Sequence, residues 1–265
     1  TQAITTENAK PLDNGEMEGW TQSPLCNSTG TWSAAVFCDY CTNWATRNEK
    51  TTDGAKNANG NPLWNSNYAT KWKWCSGTIS TSDSKEGNAV EISTLALYNQ
   101  RVSGTYNRDK IVDEVKKNGT VYVGYLLYGT YDLSSDTYTL GKDHLARPVS
   151  MSFDYKYAPV AGDQCIAYAK LYDVTKQEIA STENFYSDKV ENYTTQTLRF
   201  TYSDLECQAA FIGVFFQSGT DVDINKIQLV EGSYSDLQIK SPYTEDKMVG
   251  SILKVDNIKL NYEYE

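Results

Sequence analysis

The sequence has a single histidine, no long apolar run and an excess of acid over base. Its 265 residues include 24 Lys and Arg against 34 Asp and Glu, which gives a formal net charge of -10. Nucleic-acid binding draws its affinity from clusters of Lys and Arg, so we expect no nucleic-acid partner. A membrane-spanning helix needs about 18 to 20 consecutive apolar residues. No segment approaches that length, and we predict no membrane span.

The chemistry of nucleophilic catalysis and of thiolate metal sites is poorly represented. Any Ser-His-Asp arrangement must use His144, which lies in the turn-like segment GKDHLARP, and we assign it no catalytic role. Cys38 and Cys41 have the C-x-x-C spacing of zinc and redox sites, and Cys26 and Cys75 could complete four thiolates. The six cysteines include no second C-x-x-C, so buried or loop thiols are the favoured interpretation.

The residue types that are abundant in this sequence favour β-strands. Twenty Tyr, many Thr and Ser and short apolar runs are typical of β-structure. The segment VSMSFDYKYA, residues 149–158, alternates apolar and polar side chains, as in an antiparallel strand with one wet face. QAAFIGVFFQ is apolar on both phases and predicts a central strand. We predict an all-β jelly-roll sandwich that forms a single domain over residues 1–265, with the first and last strands neighbours and one short peripheral helix at about 107–118.

Residues 21–85 are rich in Asn, Thr, Ser, Gly and Trp and show little periodicity, so they are predicted to be loop-rich. Trp72 and Trp74 share a strand phase, and Trp64 lies in an Asn-rich stretch. Aromatic rings stack on the apolar faces of sugars while neighbouring amides bond the hydroxyls. We therefore predict that Trp64, Trp72 and Trp74 bind a ligand. The remaining tryptophans are expected to anchor loops: Trp20, Trp32 and Trp44.

The last segment, VGSILKVDNIKLNYEYE, changes phase partway along. Leu253 and Val255 alternate on one phase, whereas Ile258 and Leu260 alternate on the other. A side-chain period of two allows such a slip only where an extra residue is accommodated, so we predict a β-bulge at Asp256-Asn257. A bulge redirects a carboxylate. A polar kink at a sheet edge and a ligand or metal role both remain open.

Several segments together resemble a known family. They are ARPVSMSFDYKYAPVAGDQCIAYAKLYD, FIGVFFQSG and VGSILKVDNIKLNYEYE, and they resemble the putative carbohydrate metabolism domain found in surface proteins of gut Bacteroidetes. The resemblance covers residues 120–265 well and is weaker upstream. There NGEMEGW is similar to the Asn-Gly-x-Phe-Glu-x-Trp opening of jelly-roll carbohydrate-binding modules, with Met17 in place of Phe. Residues 49–75 and 99–118 look like insertions.

This resemblance implies a jelly roll of the galactose-binding, carbohydrate-binding-module type, exported to the cell surface, the outer membrane or the periplasm. It also implies a structural calcium between the first and last strands, with Glu18 and Asp256 as carboxylate ligands and Asn14 nearby. The implied partners are a polysaccharide or oligosaccharide and other surface proteins of glycan utilisation.

Three functions are consistent with these observations. The leading hypothesis is a surface-located, non-catalytic carbohydrate-binding module that takes part in glycan capture. A glycoside hydrolase needs only two carboxylates, but no spacing identifies the pair, and Asp154 and Asp163 are interpreted as a solvated face and a turn. A structural adhesin or assembly component is the third.

Overall fold

The structure of this chain is a computed structural model. It describes residues 9–24, 37–53, 75–98, 108–160, 162–203, 206–220, 222–230 and 247–263. Most of these residues form strands, and among them no helix is long and apolar enough to span a membrane.

The elements are numbered in chain order. The strands are β1 (Trp20–Pro24), β2 (Phe37–Cys41), β3 (Ala45–Thr46), β4 (Thr78–Thr81), β5 (Ala89–Leu97), β6 (Thr120–Tyr122), β7 (Tyr125–Leu127), β8 (Gly129–Asp132), β9 (Thr137–Leu140), β10 (Lys142–Asp143), β11 (Ser150–Ala158), β12 (Cys165–Tyr172), β13 (Glu178–Thr182), β14 (Phe185–Ser187), β15 (Val190–Tyr202), β16 (Phe211–Gln217), β17 (Gln228–Val230) and β18 (Lys247–Asn261). The helices are α1 (Asn48–Asp53) and α2 (Arg108–Asn118), and a 3-10 turn spans Ile224–Lys226.

Two antiparallel layers face each other across a shared core. One, the β12 layer, has the order β3-β7-β16-β12-β13, and the other, the β18 layer, has the order β15-β11-β18-β5-β4. Pairing of β13 with β15 joins them. Phe153 of β11 meets Phe216 of β16 edge-to-face at 5.0 Å between ring centroids, and both rings are buried. The fold is thus an all-β sandwich of the predicted jelly-roll type.

The period-two prediction for β11 is confirmed on its inner face. Met151, Phe153, Tyr155 and Tyr157 are all buried between the layers. The central position predicted for β16 is also confirmed, because it pairs with β12 on one side and β7 on the other. Its second apolar phase points away from the core and is covered by the β8–β9 hairpin.

The predicted helix is present as α2, which lies against β5 and buries Val115 beside Ala96. A second helix, α1, lies inside the stretch predicted to be loop-rich, which also contains most of β1 and strands β2 to β4. Sequence periodicity missed α1 because its buried residues are polar. The Asn48 side chain donates to the Thr78 carbonyl at 2.6 Å and accepts from the Thr78 amide at 2.9 Å.

A bulge in β18 is confirmed, but it lies one position later than predicted, at Asn257 and Ile258, and its left-handed residue is Asn257, with φ 50°. The register with β11 shifts between Asp154↔Asp256 and Ser152↔Lys259, so that Asn257 and Ile258 both face one β11 residue. The expectation that the first and last strands are neighbours is wrong for the described chain. β1 pairs with β2, whereas β18 pairs with β11, β5 and β17. The N-terminal segment reaches β18 only before β1 begins, where the Ile258 amide donates to the Gly15 carbonyl at 2.8 Å.

Candidate functional site

The two predicted metal ligands converge on one loop, residues 82–88, between β4 and β5. Glu18 accepts hydrogen bonds from the Asn88 amide and from Asn88 Nδ2, each at 2.6 Å. These bonds from Asn88 lower the pKa of Glu18. The contact depends on Gly87, which has φ 62°, because a Cβ there would overlap Oε1 of Glu18.

Asp256 is fully buried under the same loop. Its Oδ2 accepts from the Lys85 amide at 3.1 Å and from the Glu86 amide at 3.4 Å, and its Oδ1 accepts from the Asn257 amide at 2.7 Å. Burial raises the pKa of Asp256 despite these bonds. The bulge therefore turns this carboxylate toward the loop, where it is a backbone acceptor.

These surroundings can be compared with what calcium requires. Calcium takes six to eight oxygen ligands, whereas the partners of Glu18 and Asp256 on the loop are N–H groups. The Asn14 side-chain oxygen accepts from the Gly19 amide at 2.7 Å. In the described part of the chain, no group of three or more His, Cys, Asp or Glu side chains is placed to hold a metal. A calcium ion here would draw its other ligands from backbone carbonyls or water, and the calcium site stays a prediction.

The interpretation of Asp154 as part of a solvated face is wrong. Asp154 is 5% exposed because the 82–88 loop covers it. Its Oδ1 accepts from Lys85 Nζ at 3.0 Å, and Asn257 Nδ2 donates to its Oδ2 at 3.3 Å. Asp163 is also buried, and accepts from Thr220 and Ser251. Both carboxylates are structural acceptors in this arrangement.

The two thiols of the C-x-x-C motif and the histidine are buried too. Cys38 and Cys41 lie three positions apart on β2, so their side chains point to opposite faces and cannot share a ligand. Both are free thiols, and burial raises the pKa of Cys41 to about 12. His144 is 1% exposed and its Nε2 lies 3.0 Å from the Tyr262 hydroxyl.

The predicted sugar-binding residues, Trp64, Trp72 and Trp74, lie outside the described residues, as does Trp32. The two described tryptophans anchor loops, as expected. Trp44 is buried and donates from Nε1 to the Asp13 carbonyl at 3.0 Å, and Trp20 donates from Nε1 to the Met17 carbonyl at 2.8 Å.

The structure also reveals an aromatic cluster on the outer face of the β12 layer, which we call the tyrosine face. Tyr138, from the β8–β9 hairpin, stacks on Phe215 of β16 with centroids 5.0 Å apart and planes at 23°. Phe215 is 2% exposed, whereas Tyr138 is 41% exposed. Tyr125 of β7 and Tyr168 of β12 contact Phe215 at 6.0 and 5.1 Å. Tyr138 thus presents a ring to solvent on a rigid aromatic support.

Polar groups lie beside the neighbouring Tyr168 ring. Burial and the nearby Tyr138 side chain raise the pKa of Tyr168. Lys170 Nζ lies 5.8 Å from the Tyr168 ring centroid and pairs with Glu178 at 2.8 Å. An exposed ring with hydrogen-bonding groups at its edge has the composition of a sugar-binding surface.

Sequence reasoning missed the tyrosine face because its residues come from three strands, β7, β12 and β16, and from the β8–β9 hairpin. One signal was available. Apolar residues on both phases of β16 and in the YLLYG segment indicate that a second surface covers the outer face of these strands. The sequence does not show which segment supplies that cover.

The fold is similar to solved structures of other proteins. A protein described as a putative glycoside hydrolase from Bacteroides vulgatus matches with a TM-score of 0.54 and 13% identity, over 94% of this chain and 97% of that chain. Another so described, from Bacteroides thetaiotaomicron, has a TM-score of 0.48 and 15% identity, over 92% and 72%. A family 11 carbohydrate-binding module from Clostridium thermocellum has a TM-score of 0.32 and 14% identity, over 71% and 83%. At 13% identity, the likeness to the Bacteroides vulgatus structure shows a shared fold alone.

No protein-family model matches the chain, and no curated protein sequence matches it.

Proposed function

We propose that this chain is a non-catalytic carbohydrate-binding module that takes part in glycan capture at the cell surface. The observation that carries the proposal is the Tyr138 ring, which is half-exposed and stacked on the buried Phe215. A ring held by packing binds a sugar face at little entropic cost. The resemblance to the putative carbohydrate metabolism domain supports the same function, and with it the surface location and the partnership with other glycan-utilisation proteins.

Trp64, Trp72 and Trp74 remain proposed as ligand contacts, on the sequence grounds given above. The tyrosine face and the Trp-rich segment are two candidate surfaces for one activity, and variants can tell them apart.

Catalysis is the second candidate, because the solved structures of similar fold include proteins described as putative glycoside hydrolases. A hydrolase needs two carboxylates that reach the sugar. Asp154 and Asp256 lie opposite each other in register, but both are buried beneath the 82–88 loop. Binding without cleavage therefore suits the described carboxylates better.

The test is calorimetry of the whole chain against neutral plant and host oligosaccharides, alongside a reducing-sugar assay. Ring contacts are worth about 0.5–1.5 kcal/mol beyond buried area, so Tyr138→Ala should weaken binding about 2- to 12-fold. Tyr138→Phe keeps the stack and should retain most of the affinity. Leu145→Ala, at a side chain that is 68% exposed, is the surface control.

The outcomes separate the alternatives. If Trp64→Ala or Trp72→Ala abolishes binding while Tyr138→Ala retains it, the ligand occupies the Trp-rich segment. Release of reducing sugar would establish a hydrolase, and failure to bind any glycan would leave the structural adhesin or assembly component.

A further inference from the structure

The inner edge of the tyrosine face contains a buried hydroxyl that makes no hydrogen bond. Tyr125 is 6% exposed, and among the described residues its hydroxyl is the one buried side-chain polar atom without a partner. Burial raises the pKa of Tyr125, so this hydroxyl keeps its proton and can donate it. Leaving a buried donor unpaired is costly, and such groups in native proteins are rare. A partner absent from the chain itself would remove this cost.

Charged groups lie near that hydroxyl, because the charges of Arg47 and Asp136 both act on it. Arg47, which follows β3, donates from Nε to Asp136 Oδ1 at 2.9 Å, and its Nη2 pairs with Oδ2 of the same carboxylate. The Tyr131 hydroxyl donates to Asp136 Oδ1 at 2.9 Å. The Arg47 and Asp136 side chains are 22% and 25% exposed. The pair therefore lies at the boundary between the buried tyrosines and solvent.

The charge of this pair indicates the kind of ligand it suits. Burial opposes the charge on Arg47, but the hydrogen bond to Asp136 raises its pKa, and the bonds from Arg47 and Tyr131 lower the pKa of Asp136 against the effect of burial. Both groups stay ionised, and together they are neutral. An anionic ligand would have to displace Asp136 from Arg47 and approach a chain of formal net charge -10. An uncharged hydroxyl can accept from Tyr125 and donate to Asp136.

Tyr138 provides the apolar surface beside Tyr125, Arg47 and Asp136. The rings of Tyr125 and Tyr138 have centroids 5.4 Å apart, and those of Tyr125 and Tyr131 are 6.0 Å apart. The three rings are therefore in direct contact, and the exposed part of Tyr138 is the surface open to a sugar. The Tyr125 hydroxyl is buried, so the inference requires the turn between Tyr131 and Asp136 to move aside while Tyr138 stays stacked on Phe215.

We infer that Tyr125 and Asp136, with Arg47 orienting the carboxylate, bind hydroxyl groups of an uncharged pyranose unit whose face stacks on Tyr138. This inference rests on the proposed function and deepens it, because it names the polar contacts and the ligand class. Tyr125 supplies a donor that no other group in the described chain uses, and Asp136 supplies the acceptor.

The experiment compares two buried tyrosines. Tyr125→Phe removes the unpaired hydroxyl, and Tyr155→Phe removes one that lies 3.2 Å from Ser187 Oγ. Affinities are measured by calorimetry with cellotetraose, laminaritetraose, mannotetraose and xylotetraose, with tetragalacturonate as the anionic counterpart. Thermal unfolding of each variant is measured without ligand.

We expect Tyr125→Phe to weaken binding of the preferred neutral tetrasaccharide about 2- to 12-fold, the value of one hydrogen bond, with the melting temperature unchanged or raised. Tyr155→Phe should lower the melting temperature and leave affinity unchanged. Asp136→Asn should weaken binding as well.

Equal affinity of Tyr125→Phe and the original chain overturns the inference. A drop in melting temperature matching that of Tyr155→Phe also overturns it, since the hydroxyl then has a structural partner. Preference for tetragalacturonate overturns the ligand class. If the original chain binds no glycan, the proposed function fails as well. If Tyr138→Ala loses affinity and Tyr125→Phe does not, only this inference fails.

Discussion

Single residues explain how the N-terminal segment is attached to the sandwich. Gly87 adopts φ 62°, a conformation that L side chains rarely adopt, and leaves room for Glu18 to accept both hydrogen bonds from Asn88. Gly162 has φ 85° but no atom within 4 Å of its would-be Cβ. An alanine substitution at Gly162 should therefore report backbone strain alone, whereas one at Gly87 should report backbone strain together with the loss of the Glu18 contact.

Gly162→Ala should lower the free energy of unfolding by about 1 kcal/mol, the cost of a left-handed non-glycine residue. Gly87→Ala should cost about twice that or more, because the new methyl group also displaces Glu18. Urea denaturation measures both. In a Glu18→Ala background the excess cost of Gly87→Ala should disappear, and equal costs in the original chain would show that Glu18 moves aside freely.

His144 predicts a pH dependence of stability. Burial lowers its pKa to about 4, and nearby Lys10 acts in the same direction. Its ordinary value in the unfolded chain is about 6.5. Because the unfolded chain takes up the proton first, this contribution is fully present above pH 6.5 and is lost as the pH falls toward 4.

The loss should reach about 3 kcal/mol, measured by urea unfolding across that range. His144→Gln removes the only histidine, so the variant should lose this slope. Any pH dependence of the unfolding free energy that the variant keeps would come from carboxylates, which titrate at lower pH. An unchanged profile in the variant would contradict the assignment.

At the scale of elements, the 82–88 loop covers the polar face of the β18 layer and is held there by hydrogen bonds and ion pairs. Asp83 accepts from Lys156 of β11 at 2.9 Å and from Lys254 of β18 at 2.7 Å. The bonds from Lys254 and Lys156 lower the pKa of Asp83. Lys85 reaches Asp154, and its amide reaches Asp256. Because of the bulge, β18 places apolar side chains in the core and also turns Asp256 toward this loop.

The calcium prediction concerns the same loop. A ligand that binds only the native state stabilises it, so if Glu18 and Asp256 hold calcium, a chelator should lower the melting temperature and added calcium should restore it. Asp256→Asn is the matched control, in which the chelator should have no further effect. A melting temperature indifferent to chelation would leave Asp256 as an acceptor of loop amides alone.

At the scale of the whole molecule, the sandwich is locally three layers deep. Phe216 of β16 is buried between the two main layers, and Phe215 is buried between the β12 layer and the β8–β9 hairpin. Gly213 allows this close approach, since a Cβ there would lie 2.6 Å from Leu140 Cβ. The tyrosine face therefore includes residues whose packing also stabilises the fold.

Phe215→Ala and Phe216→Ala should therefore both lower the free energy of unfolding by about 3–5 kcal/mol, as expected for fully buried rings. Tyr186→Ala, at a side chain that is 48% exposed, should change it by less than about 0.5 kcal/mol. Denaturant titration of the three variants provides the measurement. A small effect of Phe215→Ala would mean that the hairpin does not cover the sheet in solution.

Much of the fold follows from local pattern. The alternation in residues 149–158 predicts which side of β11 is buried, the capped amphipathic segment predicts α2, and the phase slip predicts the bulge in β18. These features could be predicted because side-chain direction repeats every two residues in a strand and every 3.6 in a helix. Both periods are read within a few neighbouring residues.

The candidate site was decided by tertiary structure. Tyr125, Tyr138, Tyr168 and Phe215 form one surface only after three separate stretches of chain are brought together. Asp154 belongs to a polar phase that pattern assigns to solvent, yet a loop more than sixty positions upstream buries it, with the ion pair formed by Lys85. A period of two determines which side chains share a face, but which distant segment covers that face depends on contacts that no local pattern contains.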